Sequence, residues 1–336
     1  MSKPKITSLD VAAKAGVSQS AVSRVFSGAS ASKSTVQKVR DAADALGYRP
    51  NVLARSLITG QSKIIGLVVA YLDNQFYPDA LERLSNALQE QGYHILIFMA
   101  SGQGTDVERV VGELLDYQVD GIITASVGMS DDLTKRCEAA GIPVVLFNRG
   151  QDDTRLSQVT SDNRAGARKI ADFLVAAGHQ KIAHISGWEG SSTGRERKDG
   201  FIDALAAHGA ELAALADGKY KRDVAAKAAL DMLKSTQPDA IFVGNDHMAF
   251  AVIDALRHEA RQAIPGDISI IGYDDVLMAA WPSYDLTTMR QPSNRMVEAT
   301  VETLLAQIVD RSVAPQKIAI DGPLVVRGSA RKPKDL

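Results

Sequence analysis

The chain has 336 residues, of which 45% are apolar, 23% charged and 5% aromatic. At roughly 100 to 200 residues per domain, this length predicts two or three domains, and the composition excludes a disordered chain or a small disulfide-stapled scaffold. The longest apolar stretch, residues 64–72, is far shorter than the roughly 20 residues of a membrane span, so we expect no membrane partner.

Charge is divided unevenly along the chain. The formal net charge is -2, but residues 1–63 carry ten Lys and Arg against three Asp, whereas the remaining residues carry 28 bases against 37 acids. A small basic segment ahead of an acidic body is typical of nucleic-acid binding, because Lys and Arg release counterions from phosphates. The alternative is a solvated basic surface without a ligand.

The single cysteine, Cys137, excludes an internal disulfide and a cysteine zinc site. The six histidines show no metal-ligand spacing, so we expect no metal and no cofactor. No apolar segment of a secretory signal follows residues 1–5, and we therefore expect a cytoplasmic location.

Residues 1–49 predict a domain of three short helices. Thr7 and Asp10 suit a capping box that opens a helix ending before Gly16, and Ser18 suits the N-cap of a second helix over residues 19–26. A third helix is predicted over residues 33–46 from its apolar residues at helical spacing. The first two helices have the spacing of a helix-turn-helix motif.

A linker is predicted over residues 50–62. The residue before Pro50 is driven out of the helical region, and residues 51–57 have room for only two helical turns, with Asn51 as their cap. Because isolated helices shorter than about 12 residues rarely hold in water, we expect this segment to be marginal alone.

From residue 64 onward, short apolar runs alternate with amphipathic helices. Strands are predicted over residues 64–70, 95–99, 121–124, 144–147, 182–185, 240–243 and 268–271. Helices are predicted over residues 79–91, 107–117, 131–140, 164–177, 195–208, 224–234 and 248–259. This pattern predicts parallel sheets covered on both faces, arranged as two doubly wound subdomains that split near residue 161. We expect the effector domain over residues 63–331, with a second split near residue 291, and a short tail over residues 332–336. Ligands bind such sheets at the carboxyl ends of the strands, here where the two subdomains face each other.

Several motifs in one register resemble those of a single family. Residues 10–18 (DVAAKAGVS) and 21–25 (AVSRV) resemble the DNA-binding signature of the lactose-repressor (LacI/GalR) family, and residues 47–51 (GYRPN) with 54–57 (ARSL) resemble its hinge. Residues 243–246 (VGND) and 271–275 (IGYDD) resemble strand ends of its effector domain.

This resemblance covers nearly the whole chain and implies a fold and a function. The implied fold is α/β, with an N-terminal three-helix helix-turn-helix domain and a periplasmic-binding-protein-like effector domain of two doubly wound parallel-sheet subdomains. The implied function is transcription regulation, with DNA affinity controlled by a small effector, and we expect the protein to be a repressor.

The second helix of a helix-turn-helix motif places its N-terminal residues against base edges in the major groove. Gln19, Ser20 and Arg24 occupy those positions, so we expect them to read bases, the alternative for Gln19 and Ser20 being a solvated helix cap. We also expect four hydroxyl groups to contact DNA phosphates, namely those of Thr7, Ser18, Ser23 and Ser34.

The resemblance to the family's hinge adds Asn51, Arg55 and Leu57 to the expected DNA contacts. In the family, the leucine that matches Leu57 wedges into the minor groove, whereas packing of Leu57 onto the body is the alternative. A marginal hinge helix would form only on DNA beside a second hinge, so an effector that moves the subdomains would change operator affinity. We therefore expect a homodimer on a pseudo-palindromic double-stranded operator. We expect nothing larger than a dimer, because residues 331–336 lack the C-terminal leucine heptad of the family's tetramers.

Arg197, Asn245 and Asp274 match effector-contacting positions of the family. A forked Arg donor and an Asp acceptor pair suit adjacent hydroxyls of a sugar, sugar acid or polyol. Asn245 and Asp274 are predicted just past strand ends, with helix capping as the alternative. Further residues expected in the same cleft are Phe76, Tyr77, Arg149, Asp162 and Trp281. Phe76 or Trp281 would stack on the face of a sugar ring. Phe76 and Tyr77 could instead stack on a purine base, so a purine effector stays open as an alternative.

Two other functions have some support in the sequence. Residues 190–194 (GSSTG) fit the G-x-S-x-G pattern of a hydrolase nucleophile, but three residues, 187–189, intervene after the predicted strand, so we expect no enzyme. A solute-binding protein without a DNA role fits residues 64–330, but the basic N-terminal segment and the missing signal argue against it.

Overall fold

The computed structural model describes residues 6–27, 30–49, 61–100 and 104–334. The chain divides into an N-terminal unit that ends at Lys63 and a larger unit that begins at Ile64. In the N-terminal unit the helices are α1 (Ser8–Ala15), α2 (Gln19–Ser27) and α3 (Lys33–Leu46). Each lies within a residue of its predicted bounds, because glycines and polar caps stop the helices where the sequence places them.

A small apolar core holds the three helices together. Val11 of α1, Val22 of α2 and Val39 of α3 are at most 1% exposed and pack in one cluster. Gly16 ends α1 in the left-handed region at φ 64°, where a residue without a Cβ avoids strain. Only Val17 and Ser18 follow Gly16 before α2 begins at Gln19.

The first sheet of the larger unit is parallel throughout its described strands. They are β1 (Ile64–Val69), β2 (His94–Met99), β3 (Gly121–Ala125), β4 (Val144–Phe147), β5 (Ser157–Ser161) and β11 (Lys317–Ile320), in the order β11-β5-β4-β3-β1-β2. The helices of this half are α4 (Phe76–Glu90), α5 (Gly104–Asp116), α6 (Asp131–Ala139) and α11 (Ser293–Val309). Alternate strand residues pack against α4 and α11 on one face and against α5 and α6 on the other.

The second sheet repeats this plan. Its described strands are β6 (Ile182–Ser186), β7 (Ala214–Asp217), β8 (Ala240–Val243), β9 (Ser269–Asp274), β10 (Thr287–Arg290) and β12 (Leu324–Val325), in the order β12-β10-β9-β8-β6-β7. Only β12 pairs antiparallel in this described sheet. The helices are α7 (Asn163–Ala176) and α8 (Ser192–Ala207) on one face, α9 (Arg222–Ser235) and α10 (Asp246–His258) on the other, with a 3-10 turn over Leu277–Ala280.

The chain passes between the two sheets at three described points. It leaves the first sheet after β5, returns after β10 into α11 and β11, and leaves again between β11 and β12. The third passage is absent from the sequence prediction, since β11 and β12 are too short to stand out. The α/β fold with two doubly wound subdomains is confirmed.

Five strands escaped the sequence prediction: β5, β7, β10, β11 and β12. The polar side chains of β5 and β10 explain two of these omissions. Ser161 of β5 is 1% exposed and its hydroxyl lies 3.2 Å from that of Tyr273, while Thr288 of β10 is fully buried and its hydroxyl donates to Asp246 at 2.5 Å. Hydrogen bonds from neighbouring elements satisfy these buried hydroxyls, so the strands need no continuous apolar run.

None of the helices in the described part of the chain combines the length and the apolar character that crossing a bilayer requires.

Candidate functional site

The turn between α1 and α2 is held by polar side chains. The Asp10 carboxylate accepts the backbone N–H and the hydroxyl of Thr7, both at 2.8 Å, and these hydrogen bonds lower the pKa of Asp10. The Ser18 hydroxyl accepts the Ala21 N–H at 3.2 Å, which caps α2 as predicted. The start of α2 is therefore fixed by local hydrogen bonds.

One face of α2 is exposed along its whole length. Ala21 and Val22 point into the core, whereas Gln19, Ser20, Ser23 and Arg24 are exposed. The Gln19 amide donates to the Ser8 hydroxyl at 3.1 Å, a contact that links the N-terminal ends of α1 and α2.

The remaining hydroxyls predicted to contact phosphates are also exposed. Thr7 and Ser18 lie at the start of α1 and of α2, and Ser34 lies in the first turn of α3. The predicted hinge residues Asn51, Arg55 and Leu57 lie outside the described residues.

In the larger unit, a cavity of about 160 Å³ opens at the carboxyl ends of the strands of both sheets. Residues that follow β1, β4, β6, β7 and β8 line it, together with the last residue of β9 and the residue after β10. They are Tyr71, Asp73, Asn74, Tyr77, Asn148, Arg149, Trp188, Thr193, Arg197, Lys219, Tyr220, Lys221, Asn245, Asp274 and Gln291. This is the edge at which doubly wound sheets present ligand-binding residues.

A buried arginine and a buried aspartate form the polar centre of the cavity. Arg197 is 3% exposed and its Nη1 lies 3.7 Å from Asp274 Oδ1. The guanidinium also donates to Asn163 Oδ1 at 2.9 Å and to the Gly244 carbonyl oxygen at 2.7 Å, and it lies 3.6 Å from the centre of the Tyr273 ring. These contacts fix the fork of Arg197 in one orientation toward the cavity.

Asp274 is the last residue of β9 rather than a residue past its end, because the strand extends three residues beyond the predicted end at residue 271. Its backbone adopts φ 139°, a conformation that L residues rarely adopt and that is found preferentially at functional sites. Gln291 Nε2 donates to its Oδ1 at 2.7 Å, and Asn74 Nδ2 approaches its Oδ2 at 3.5 Å from the other subdomain. Burial raises the pKa of Asp274 to about 6 despite the opposing charge of Arg197.

A second buried acid lies behind Asp274. Asp246, fully buried at the start of α10, accepts the Val276 N–H at 3.0 Å and the Thr288 hydroxyl. Burial, and then the charge of Asp274, raise the pKa of Asp246 to about 8. Asp246 therefore ties α10 to β10 and to the segment that follows β9.

The wall from the first subdomain combines aromatic rings with amide and guanidinium groups. Asn148 Nδ2 donates to the Tyr77 hydroxyl at 2.9 Å. The Arg149 guanidinium lies 5.8 Å from the ring centre of Tyr71 and 5.4 Å from that of Tyr220, which comes from the second subdomain. Three buried polar atoms of cavity-lining residues have no hydrogen-bond partner in the described structure: Asn148 Oδ1, Arg149 Nε and Gln291 Oε1. Because a buried polar atom without a partner is costly, these atoms are suited to a polar ligand.

The structure brings five of the eight predicted effector residues together: Tyr77, Arg149, Arg197, Asn245 and Asp274 line the cavity. Asn245 also caps α10, since its Oδ1 accepts the Met248 N–H at 3.0 Å, so the capping alternative holds for this residue alongside its place in the cavity.

Phe76, Asp162 and Trp281 do not line this cavity. Phe76 is 4% exposed and stacks on Phe147, with ring centres 6.2 Å apart, because the first turn of α4 directs it into the core while Tyr77 faces the cavity. Asp162 accepts the Ala165 N–H at 3.0 Å as the cap of α7, and Trp281 is 47% exposed after the 3-10 turn.

Several cavity residues were missed by the sequence prediction, namely Tyr71, Asn74, Asn148, Trp188, Tyr220 and Gln291. Each of them directly follows a strand or lies in the loop after one. Position after a strand end was therefore a usable signal, but β7 and β10 were not predicted, and with them Tyr220 and Gln291 were overlooked.

The serine of the G-x-S-x-G pattern lies at the start of α8. Ser192 is 8% exposed and its hydroxyl accepts the Gly150 N–H at 3.0 Å, which joins the two subdomains. The helix begins only after a loop that follows Ser186, whereas a nucleophile elbow turns directly from strand to helix. Within the described residues, no group of three or more His, Cys, Asp and Glu side chains is arranged to hold a metal ion.

Comparisons with known proteins match both units. The model described as periplasmic binding proteins and sugar binding domain of the LacI family matches residues 62–318, and the model described as bacterial regulatory proteins, lacI family, matches residues 7–51. The HTH-type transcriptional regulator CelR of Thermobifida fusca is 32% identical over 332 residues, which cover 95% of this chain and 96% of CelR.

Solved structures agree with this assignment. The lac repressor dimer bound to operator and the anti-inducer ONPF has a TM-score of 0.87 at 28% identity, covering 97% of this chain and 99% of that one. A complex of the transcriptional regulator CelR with cellobiose has a TM-score of 0.73 at 29% identity, covering 97% of this chain and 100% of that one. The chain therefore belongs to the LacI family of bacterial regulatory proteins.

Proposed function

We propose that this protein is a sequence-specific DNA-binding transcription regulator whose operator affinity is controlled by a sugar bound in the cavity described above. The observation that carries the proposal is the pairing, in one chain, of an exposed α2 face on a basic three-helix unit with a polar cavity between two doubly wound subdomains. The family membership supports both halves.

In this proposal α2 enters the major groove. Gln19 suits adenine and Arg24 suits guanine, while Ser20 bonds to either, and each good bidentate contact discriminates by about 1–3 kcal/mol. Thr7, Ser18, Ser23 and Ser34 bind phosphates and set the register of the unit on the duplex. Asn51, Arg55 and Leu57 extend the contact through the hinge, with Leu57 in the minor groove.

The sugar lies between the two subdomains. Arg197 and Asp274 bind adjacent hydroxyls, and Asn245, Asn148 and Gln291 provide further polar contacts. Tyr220 and Trp188, rather than Phe76 and Trp281, supply the aromatic surface for a sugar face. The cellobiose complex of CelR supports a carbohydrate as the effector class.

A homodimer completes the proposal, because two recognition helices must reach successive major grooves about 34–36 Å apart or at a spacing set by the hinge. The dimer of the lac repressor on its operator supports this assembly. We propose residues 1–49 as the DNA-binding domain, 50–62 as the hinge and 63–331 as the effector domain, acting in the cytoplasm as a regulator without catalysis.

The proposal is tested by selecting operators from random duplexes with the purified protein at two salt concentrations, and then adding a sugar panel to the bound complex. We expect enrichment of a palindrome, a steep loss of affinity with salt, and release or tightening by one sugar. Asp274→Ala should bind the same operator and lose the response, whereas Arg168→Ala, on the exposed surface of α7, should behave as wild type. Tight sugar binding without any operator enrichment would instead favour a solute-binding protein.

A further inference from the structure

Two cavities meet between the subdomains. Beside the first cavity lies a second one of about 300 Å³, and Tyr71, Arg149 and Trp188 line both. The second cavity is lined further by Arg195 of α8 and by Asp152 from the loop after β4. A ligand longer than the first cavity therefore passes Arg149 as it extends into the second.

Arg149 is a half-buried cation without a carboxylate partner. Its Nη1 donates to the Ser126 carbonyl oxygen at 3.0 Å, its Nε has no hydrogen-bond partner, and it forms no ion pair with any residue that the structure describes. Arg197 differs, since Asp274 lies 3.7 Å away from it. Removing a charge from water is costly unless an opposite charge pairs with it, so Arg149 is suited to an anion.

Arg195, an exposed residue of α8, provides a further cation that lines the second cavity. Its Nη1 donates to the Glu189 carbonyl oxygen at 2.9 Å, and no Asp or Glu of the described ranges pairs with it. Together the two cavities are lined by five Lys and Arg against three Asp. The cleft is therefore positive, although the chain from residue 64 onward carries 28 bases against 37 acids. A positive cleft in an acidic body concentrates anionic ligands.

Resting on the proposed function of the first cavity, we infer that the effector is an anionic sugar: its ring lies in the first cavity, and its carboxylate or phosphate group pairs with Arg149 and Arg195 in the second. The guanidinium fork of an arginine matches both groups with two parallel hydrogen bonds. Ring hydroxyls and the anion are then bound by separate sets of side chains, with Arg197 and Asp274 for the ring.

Calorimetric titration of the full-length protein tests this inference. The probes are the uronates and the 6-phosphates of glucose, galactose and mannose, each compared with its neutral hexose, and with inorganic phosphate as a control for ion binding alone. We expect one anionic sugar to bind about 10- to 100-fold more tightly than its neutral hexose, with the difference shrinking at high salt. The uronate and 6-phosphate series separate a carboxylate from a phosphate.

Three variants assign the preference to the two arginines. Arg149→Gln and Arg195→Gln should each lower the preference for the anionic sugar by about tenfold or more, and Arg149→Lys should retain part of it because the charge is kept. Arg195→Gln changes a residue that lines only the second cavity, so it should leave binding of the neutral hexose unchanged. Arg168→Gln on α7, which lines neither cavity, should match wild type. Near-UV circular dichroism checks the fold, and exposed Arg195 gives an independent reading if Arg149→Gln does not fold.

The outcomes separate this inference from the proposed function. A neutral hexose that binds as tightly as its uronate and 6-phosphate would overturn the anionic effector and leave a sugar-controlled regulator in place. If none of these sugars binds, the anionic inference is overturned, while the sugar panel and the operator selection decide the proposed function separately.

Discussion

Arg24 lies on the exposed face of α2, one helical turn beyond Gln19 and Ser20, where its side chain is free of the core. In the proposed complex with DNA, this guanidinium contacts either a guanine edge or a phosphate, and Arg24→Ala would remove both contacts.

We expect Arg24→Ala to weaken binding to the selected operator by about 10- to 100-fold, which corresponds to one lost bidentate contact of about 1–3 kcal/mol. Fluorescence anisotropy with labelled duplex measures the change. If Arg24 reads a base, the loss is larger on the operator than on random DNA, and unchanged operator binding would show that α2 is not the recognition helix.

The raised pKa of Asp246 predicts how the stability of the folded protein depends on pH. Its pKa is raised to about 8, first by burial and then by the charge of Asp274, whose own pKa is raised to about 6. The folded protein therefore holds these protons more tightly than the unfolded chain does. Stability conferred by the protonated acids is present at about pH 4 and is lost as the pH rises through about 6 and 8.

Asp246→Asn imitates the protonated acid, and we expect its melting temperature to fall less than that of wild type between pH 5 and pH 8.5. A difference of about 1 kcal/mol corresponds to roughly 2–4 °C for a domain of this size, and we expect at least that much. Asp116→Asn, on the exposed end of α5, serves as the matched control and should follow the wild-type curve. Parallel curves for Asp246→Asn and wild type would contradict a protonated Asp246.

Between elements, the close approach of α7 and α8 depends on Gly200. A Cβ at this position of α8 would lie 2.8 Å from the Cα of Arg164 and 2.9 Å from its carbonyl oxygen, both backbone atoms of α7. Backbone atoms cannot move aside as a flexible side chain does, so α8 itself must shift and disturb the start of the helix at the cavity.

We expect Gly200→Ala to destabilise the protein by about 1–3 kcal/mol, as other overpacked sites do, measured by thermal or urea unfolding. Gly112 in α5 is the matched control, because the nearest atom to its added Cβ is the end of the flexible Arg136 side chain at 3.3 Å. Gly112→Ala should be neutral or stabilising by up to about 1 kcal/mol through helix propensity. Equal effects of the two substitutions would argue against the close contact.

At the scale of the whole molecule, the division at Ile64 predicts separable activities. A protein that begins at Ile64 contains the entire cavity and lacks α1, α2 and α3. We expect it to bind the effector with an affinity within about threefold of the full chain, as measured by calorimetry, and to lose operator binding. Loss of effector binding in this fragment would contradict the independence of the larger unit.

The assembly is predicted to be no larger than a dimer. Light scattering of the dilute full-length protein should give twice the chain mass of 35.9 kDa. A mass near four chains would contradict the dimer.

The sequence by itself was sufficient for features that depend on neighbouring residues. The caps at Thr7 and Ser18 and the stop at Gly16 predicted α1 and α2, because capping and left-handed turns are decided within a few residues. Continuous apolar runs predicted the central strands, since a strand buried on both faces has no polar side to show.

The tertiary structure decided what depends on neighbours distant in the chain. The buried hydroxyls of Ser161 and Thr288 are tolerated only because Tyr273 and Asp246 reach them, so β5 and β10 could not be predicted from apolar runs. Likewise, Phe76 enters the core where Phe147 lies, and only the assembled sheets show that its neighbour Tyr77 is the residue that faces the cavity.

The candidate site divides in the same way. Arg197, Asn245 and Asp274 were predicted from their match to effector-contacting positions of the family. The places of Tyr220 and Gln291, and the position of Arg149 between two rings, follow instead from strand order and from the way the two subdomains face each other. A local pattern specifies which residues end a strand, but the order of strands in a sheet depends on long-range packing. That order alone determines which strand ends meet around one ligand.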